Sequence, residues 1–284
     1  MRSIEKTSNK NIRGRFAPSP TGPLHLGSLA TALASFLDVK SDNGKFWLRI
    51  EDCDSQRSKA KFIELIKQQL VDHGIVWDVW PNLANEREGV IYQSERQQIY
   101  SQFLYCLNSL NRTFLCKCSR KSLSQTNQHI QYLESGEIRY PQICRERTSV
   151  CFSQGQTLRF KSTNRDDFVI KRLSTGDFSY AFTVVIDDYL QGITRVVRGD
   201  DLKFTTERNR QLQTILGFPC PTILHVPVVK DCYGRKLSKT DEDSKLRGGK
   251  FIKKQITQSW AHLRTNMPSS WVEKVTPAYE TFFF

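Results

Sequence analysis

Apolar positions along the chain follow two periods in turn. Residues 12–16 (IRGRF) have a short strand pattern that runs through a proline-rich connection to Leu26, Leu29, Leu33, Phe36 and Leu37, whose spacing predicts a helix. Residues 45–50 (KFWLRI) predict a second strand, and Phe62, Leu65, Ile66 and Leu70 predict the apolar stripe of a second helix ending near Gly74. Strand, helix, strand, helix implies a parallel sheet. Ser94, Glu95, Arg96 and Gln97 read as a capping box opening a third helix, with Ile99, Phe103, Cys106, Leu107 and Leu110 on its apolar face. From 113 to 167 the chain turns polar, rich in Ser, Gln and Arg, and reads as an insertion. Strand-like patterns return at 168–172, 180–186 and 192–197, followed by a helix at 204–216 and a strand at 223–228. A charged stretch beyond Lys230 leads to a last helical segment through Ile256, Trp260 and Leu263. The expected organisation is an α/β fold whose two halves are residues 1–112 and 168–250, with an inserted subdomain at 113–167 and a helical segment at 251–284.

Composition narrows the partners. The chain has 284 residues, 38% of them apolar, enough for one large domain or one domain with an insertion. Forty-two Lys and Arg against 29 Asp and Glu leave a formal charge of +13, which favours a polyanionic partner, nucleic acid first, although a basic surface also serves solubility. The N-terminus MRSIEKTSNKN has no apolar core of a secretion signal, and no run approaches the roughly 18 apolar residues of a membrane span, so a cytoplasmic protein is expected. In that setting eight cysteines are core residues, metal ligands or spare thiols rather than a disulfide framework.

The connection after the first strand, RFAPSPTGPLHLGS (15–28), carries the first chemistry. Pro18, Pro20 and Pro23 hold the backbone in one shape, and Gly22 and Gly27 remove side chains where a flat ligand would approach. A helix opening near His25 directs free N–H groups and a positive dipole end into the loop, which favours an anion. Neither G-x-x-x-x-G-K-[ST] nor G-x-G-x-x-G occurs anywhere. Taken alone, the segment fits an anion site or an ordinary proline-stiffened connection.

Other motifs add to it. The 15–28 segment resembles the first signature of class I aminoacyl-tRNA synthetases in the form used by the glutamyl and glutaminyl branch, and KLSKT (236–240) resembles the second, lysine-centred signature. Between them, LRIEDCD (48–54) is similar to that branch's acidic strand-end motif, and YAFTVVIDDYLQGITRVVRGDDL (180–202) to the stretch entering its second half. Four ordered motifs over about 220 residues are far more specific than any one of them. Full-length glutamyl-tRNA synthetases continue into an anticodon-binding domain, and the present sequence is expected to work without one. The chain, with HLGSLATALASFL (25–37) and the CKC at 116–118, resembles the shorter glutamyl-Q tRNA(Asp) synthetases.

The resemblance implies a Rossmann-like class I core, active as a monomer, that activates L-glutamate with ATP in the absence of tRNA. It then transfers the glutamate to queuosine at the wobble position of tRNA(Asp). Alternatives are a truncated or discriminating glutamyl-tRNA synthetase charging the 3′ ribose, and a catalytically silent RNA-binding paralogue. His25 and Lys239 become the catalytic residues, and Gly27, Ser28 and Lys236 join them around ATP and its Mg²⁺. Arg15, Ala17, Ser19, Glu51, Tyr180 and Arg198 become the glutamate pocket. Their chemistry suits the ligand: Arg15 and Arg198 can neutralise two carboxylates, Glu51 can hold an ammonium, and Tyr180 and Ser19 can fix orientation. Read without the motifs, Lys239 is a solvated loop lysine, Glu51 and Asp52 are strand-end acids, and Arg198 pairs with Asp200 or Asp201.

By the same resemblance Cys116, Cys118, Tyr140 and Cys144 hold one structural zinc. Tyrosine is an uncommon ligand, and His129 and Cys151 are more ordinary candidates for the fourth place. Arg120, Lys121, Arg139, Arg145 and Arg147 make the insertion basic, and residues 230–254 carry nine Lys and Arg against four acids, a net +5. Such faces steer a phosphate backbone or are simply solvated.

Overall fold

The computed structural model describes residues 11–80, 89–125, 132, 136, 138–146, 156–230, 234, 235, 237 and 245–284. Strand β1 (Arg13–Phe16) pairs in parallel with β2 (Lys45–Ile50), Arg13 facing Lys45 and Phe16 facing Leu48, and β3 (Ile91–Tyr92) continues the sheet beyond β2. Helix α1 (Leu26–Lys40) crosses from β1 to β2, and α2 (Ala60–Asp72) follows β2. A second parallel pair, β7 (Arg195–Gly199) and β8 (Thr222–Val226), is joined by helix α6 (Thr205–Leu216). The two pairs meet where Thr194 N donates to Arg13 O at 2.9 Å, so β7 lies next to β1. Strand order therefore reverses between β1 and β7, and the crevice beyond the carboxyl ends of such strands is where open α/β sheets bind ligands.

Sequence explains the core around this crevice. Ten consecutive or near-consecutive residues of α1, from Leu29 to Val39, are buried, because the helix packs on the sheet on one side and against α7 (Ile252–Asn266) and α8 (Ser269–Phe283) on the other. Gly14 permits the approach: a Cβ there would stand 2.4 Å from Val39 Cγ2. Phe36 meets Phe46 edge-on at 5.4 Å, and Trp271 of α8 donates its indole N–H to Asp38 at 3.0 Å. The expected C-terminal helical segment is thus a pair of helices that closes the back of α1. Among the described residues no helix is long and apolar enough to cross a membrane.

Four expectations are corrected. The run at 180–186 is not a strand but the start of α5 (Tyr180–Leu190), in which every residue from Ala181 to Asp188 is buried. A segment apolar on all sides shows neither period, so its β-branched residues mislead. The strand at 168–172 forms, as β6 (Val169–Arg172), but outside the parallel sheet: it pairs antiparallel with β5 (Thr157–Phe160), which pairs with β4 (Thr113–Cys116) of the insertion. The capping box does not form. Residues Gln93–Arg96 make a 3₁₀ turn before α3 (Gln97–Ser109), because Asp52 takes the backbone N–H and hydroxyl of Ser94 at 2.8 and 2.7 Å. The buried positions of α3 are accordingly Tyr100 and Leu107, with Cys106 and Leu110 exposed, and Leu65 of α2 is likewise exposed.

Candidate active site

The loop after β1 is tied down at both ends. Glu51 N donates to Pro18 O and Lys59 N to Pro20 O, both at 3.0 Å, while the buried Gln69 side chain accepts from Leu24 N at 2.8 Å and donates to Leu246 O at 3.2 Å. His25 is the N-cap of α1, its Nδ1 accepting from Ser28 N at 3.3 Å. Gly27 leaves room for that imidazole, since a Cβ on it would lie 3.0 Å from His25 Cε1. His25 also forms a β-bridge with Lys245, so the segment following the second signature returns to the first.

Two cavities open from this loop. One, of about 370 Å³, is lined by His25, Gly27 and Ser28 and by Val229 and Leu237. Leu237 is the described residue of KLSKT, held by donation from its N–H to Val229 O at 3.0 Å. Lys236 and Lys239 lie outside the described residues. The other, a cleft of about 970 Å³, is lined among others by all six residues expected to bind glutamate: Arg15, Ala17, Ser19, Glu51, Tyr180 and Arg198. Ser19, Glu51 and Gly199 border both cavities, so the two open onto each other at the carboxyl ends of β1, β2 and β7.

Buried charge organises the cleft. Arg15 Nε donates to Asp188 Oδ1 at 3.0 Å, and Arg49 Nη1 donates to the same oxygen at 2.8 Å and to Gln191 Oε1 at 2.7 Å. Arg49 Nη2 reaches Glu51 Oε1 at 3.3 Å. All four charged side chains are at most 7% exposed. Burial opposes ionisation of Asp188, but Arg15 and Arg49 hold its carboxyl below the usual range. Glu51 behaves differently: burial and the neighbouring Asp188 outweigh the two arginines and push it up to about 7. Burial and Glu51 also raise the Tyr180 phenol.

Arg198, 4% exposed, donates from Nη2 to Thr206 Oγ1 at 2.7 Å, and with the Asn209 amide oriented to suit both neighbours it donates from Nη1 to Asn209 at 3.2 Å. Its Nε is buried without a partner, and among the described residues no carboxylate pairs with it; neither Asp200 nor Asp201 does. A buried guanidinium lacking a counter-ion is costly unless a ligand supplies one. Together with burial, Arg198 also lowers the His225 pKa.

In the insertion the sulfurs of Cys116, Cys118 and Cys144 lie within 4.8 Å of one another, those of Cys118 and Cys144 at 3.8 Å. The Tyr140 hydroxyl is 3.4 Å from Cys116 Sγ and accepts from Cys144 N at 2.8 Å. Zinc–sulfur bonds of about 2.3 Å in a tetrahedron place sulfurs about 3.8 Å apart, so three thiols and a phenol fit a closed zinc site. Burial and the neighbouring thiols push Cys118 up to about 12, which is the environment a bound metal would reverse. His129 and Cys151 lie outside the described residues, as does Arg147. Arg145 pairs with Asp167 and donates to Ser162 O, and Arg139 donates to Asn164 O, so both of these insertion cations serve the subdomain's own structure.

Arg49, Asp188 and Gln191 escaped sequence reasoning. The signal was present, as a lone arginine inside an apolar strand and as paired acids in an apolar run; reading 180–186 as a strand hid the fact that Asp187 and Asp188 leave a helix about 100° apart. Asp187 serves a separate buried cluster, accepting from Gln93, Arg96 and Tyr100 at 2.7 to 2.8 Å.

Fold and cleft define a class I synthetase catalytic domain. The sequence matches the family tRNA synthetases class I (E and Q), catalytic domain, over residues 11–177 and 157–264. A glutamate tRNA ligase from Elizabethkingia meningosepticum, solved in complex with its amino acid, superposes with a TM-score of 0.65 at 29% identity, covering 82% of this chain and 53% of that one. The chain therefore spans about half the length of that solved relative. Within the class, the chain belongs to the glutamyl-Q tRNA(Asp) synthetases: it is 38% identical to that enzyme of Thiobacillus denitrificans over 80% of its own length and 77% of the relative's. It is 34% identical to that of Serratia proteamaculans, over 91% and 88%.

Proposed function

We propose that the chain activates glutamate with ATP, without tRNA, and transfers it to queuosine of tRNA(Asp). The observation that carries this reading is the continuity of the two cavities: a ligand in the Arg15, Glu51 and Arg198 cleft meets one in the His25 and Leu237 cavity at Ser19 and Glu51. In the first step the α-carboxylate of glutamate attacks the α-phosphorus of ATP; a carbon-bound oxygen gains the P–O bond and pyrophosphate leaves with the electrons of the broken one. No general base is needed because the nucleophile is already an anion, so the protein acts by positioning and by stabilising phosphate charge. His25, Gly27, Ser28 and the start of α1 face the nucleotide, and Lys236 and Lys239 are assigned to the triphosphate as point charges. Mg²⁺ would come with ATP and offset the charge of its phosphates.

Arg198 and Arg15 supply the two positive charges that glutamate's carboxylates require, and Glu51 supplies the negative charge for its ammonium. In the second step a hydroxyl of the queuosine cis-diol attacks the acyl carbon, AMP leaves, and the hydroxyl proton passes to solvent or phosphate. A cis-diol also occurs on the tRNA terminal ribose, so the same site chemistry accommodates the changed acceptor. Cys116, Cys118, Tyr140 and Cys144 would hold Zn²⁺, which as a closed site supplies no reaction step and braces residues 113–167. The working compartment is the cytoplasm. ATP–pyrophosphate exchange that depends on glutamate and needs no tRNA, followed by label on queuosine-containing tRNA(Asp), tests the proposal. Absence of exchange would sink the enzyme reading, and label on the 3′ ribose would replace the acceptor.

A further inference from the structure

Arg15 does not meet the cleft with its whole guanidinium. Its Nε and Nη2 edge is directed to Asp188, at 3.0 and 3.5 Å, and Asp188 is shared with Arg49, which is completely buried and reaches on to Glu51. Arg49 touches neither cavity, and neither does Asp188. The chain thus places a buried cation on β2 and a buried acid on α5 behind two residues that do line the cleft. Buried pairs of this kind rarely add stability over apolar packing, so a positional role is their better-attested use.

We propose that Asp188 and Arg49 are positioning residues for glutamate activation: Asp188 aims the free end of Arg15 at a ligand carboxylate, and Arg49 ties Glu51 to the same anchor. This deepens the proposed function and rests on its assignment of Arg15 and Glu51 to glutamate. Electrostatically the four groups are neutral when Glu51 is ionised, leaving Arg198 to give the pocket +1. L-glutamate carries −1 at neutral pH, so pocket and ligand cancel. Arg15 comes from β1, Arg49 from β2 and Asp188 and Tyr180 from α5, with Cys53 two residues after Glu51; each acts on Glu51 or is acted on by it, and Asp54 and Arg57 line the same cavities.

The test is glutamate-dependent pyrophosphate exchange in Asp188→Asn and Arg49→Lys, measured against pH, with glutamate and ATP varied separately. Removing one partner of a buried charge pair costs about 2–5 kcal/mol, so Asp188→Asn should raise the glutamate KM about 30-fold or more while the ATP KM holds. The same variant removes a negative charge beside Glu51, so the acid limb of the glutamate profile should move to lower pH. Arg49→Lys keeps the charge and loses the fork; its KM for glutamate should rise while the limb stays near the wild-type position. Should Asp188→Asn fold poorly, Arg49→Lys and Gln191→Leu, which removes only the 2.7 Å acceptor of Arg49, carry the test. An unchanged glutamate KM, or a parallel loss of glutamate and ATP with the limb unmoved, overturns the proposal. Wild-type protein that exchanges with another amino acid instead of glutamate overturns the underlying reading as well, and is read separately.

Discussion

Glu51 concentrates the residue-scale argument. Its carboxyl is pushed up to about 7 by burial and by Asp188, against two arginines. An ammonium bound beside it favours the ionised form, so binding glutamate releases a proton wherever Glu51 starts protonated. The glutamate KM should therefore be flat above about 7.5 and rise, approaching about tenfold per pH unit, well below 7. Calorimetry in two buffers of different ionisation enthalpy should show proton release at pH 6.5 that vanishes at pH 8.5. Lys239 belongs to the same scale: Lys239→Ala should abolish exchange with an unchanged melting temperature, and wild-type exchange in that variant would refute its assignment. Arg15, Ser19 and Glu51 were legible as a pocket because each stands inside a motif. Arg49 and Asp188 stand inside the same motifs, but which charged residues pair there was not legible, since pairing between elements far apart in the chain is set by the fold.

At the scale of elements, α5 shows how adjacent residues part ways. Asp187 locks α5 to α3 and the turn before it through Tyr100, Arg96 and Gln93, and Asp188 turns to Arg15 and Arg49 behind the cleft. Asp187→Ala should cost about 3–5 kcal/mol of stability, seen as an earlier urea midpoint, while glutamate KM in the folded fraction stays near wild type. The seam between β1 and α1 makes a second case. Gly14→Ala forces a Cβ into the buried Val39 side chain, and overpacking of this kind costs about 1–3 kcal/mol. Thermal melts would register it, and an unchanged melting temperature would show that α1 can shift. Helix α1 and strands β1 and β2 were legible from periodicity alone. Helix α5 was not, because complete burial erases the periodic contrast that separates helix from strand, and β6 was legible as a strand but not as a member of the antiparallel sheet.

For the whole molecule, the insertion and the crevice meet, since Leu123, Ile138, Tyr140 and Arg159 line the larger cleft together with Arg15, Glu51 and Arg198. Cys116, Cys118, Tyr140 and Cys144 sit together around β4, while the smaller cavity beside His25 is lined by residues of the α/β core. Purified protein should contain about one zinc per chain by elemental mass spectrometry, and a strong chelator or Cys144→Ser should lower the melting temperature while sparing the ATP KM. Zinc-free protein of unaltered stability would remove the structural role. By itself the sequence determined the α/β class, the proline-stiffened loop with His25 at a helix start and the four motifs, all of which depend on residue types at short spacing. Only the tertiary structure decided that Arg198 is buried with no acid partner among the described residues, that Asp187 and Asp188 serve different clusters, that Leu237 borders the cavity of His25, and that β6 leaves the parallel sheet. Each of these is a contact between segments far apart in the chain, set by how buried charges find partners and apolar faces find cover, and no local pattern encodes which distant segment will provide them.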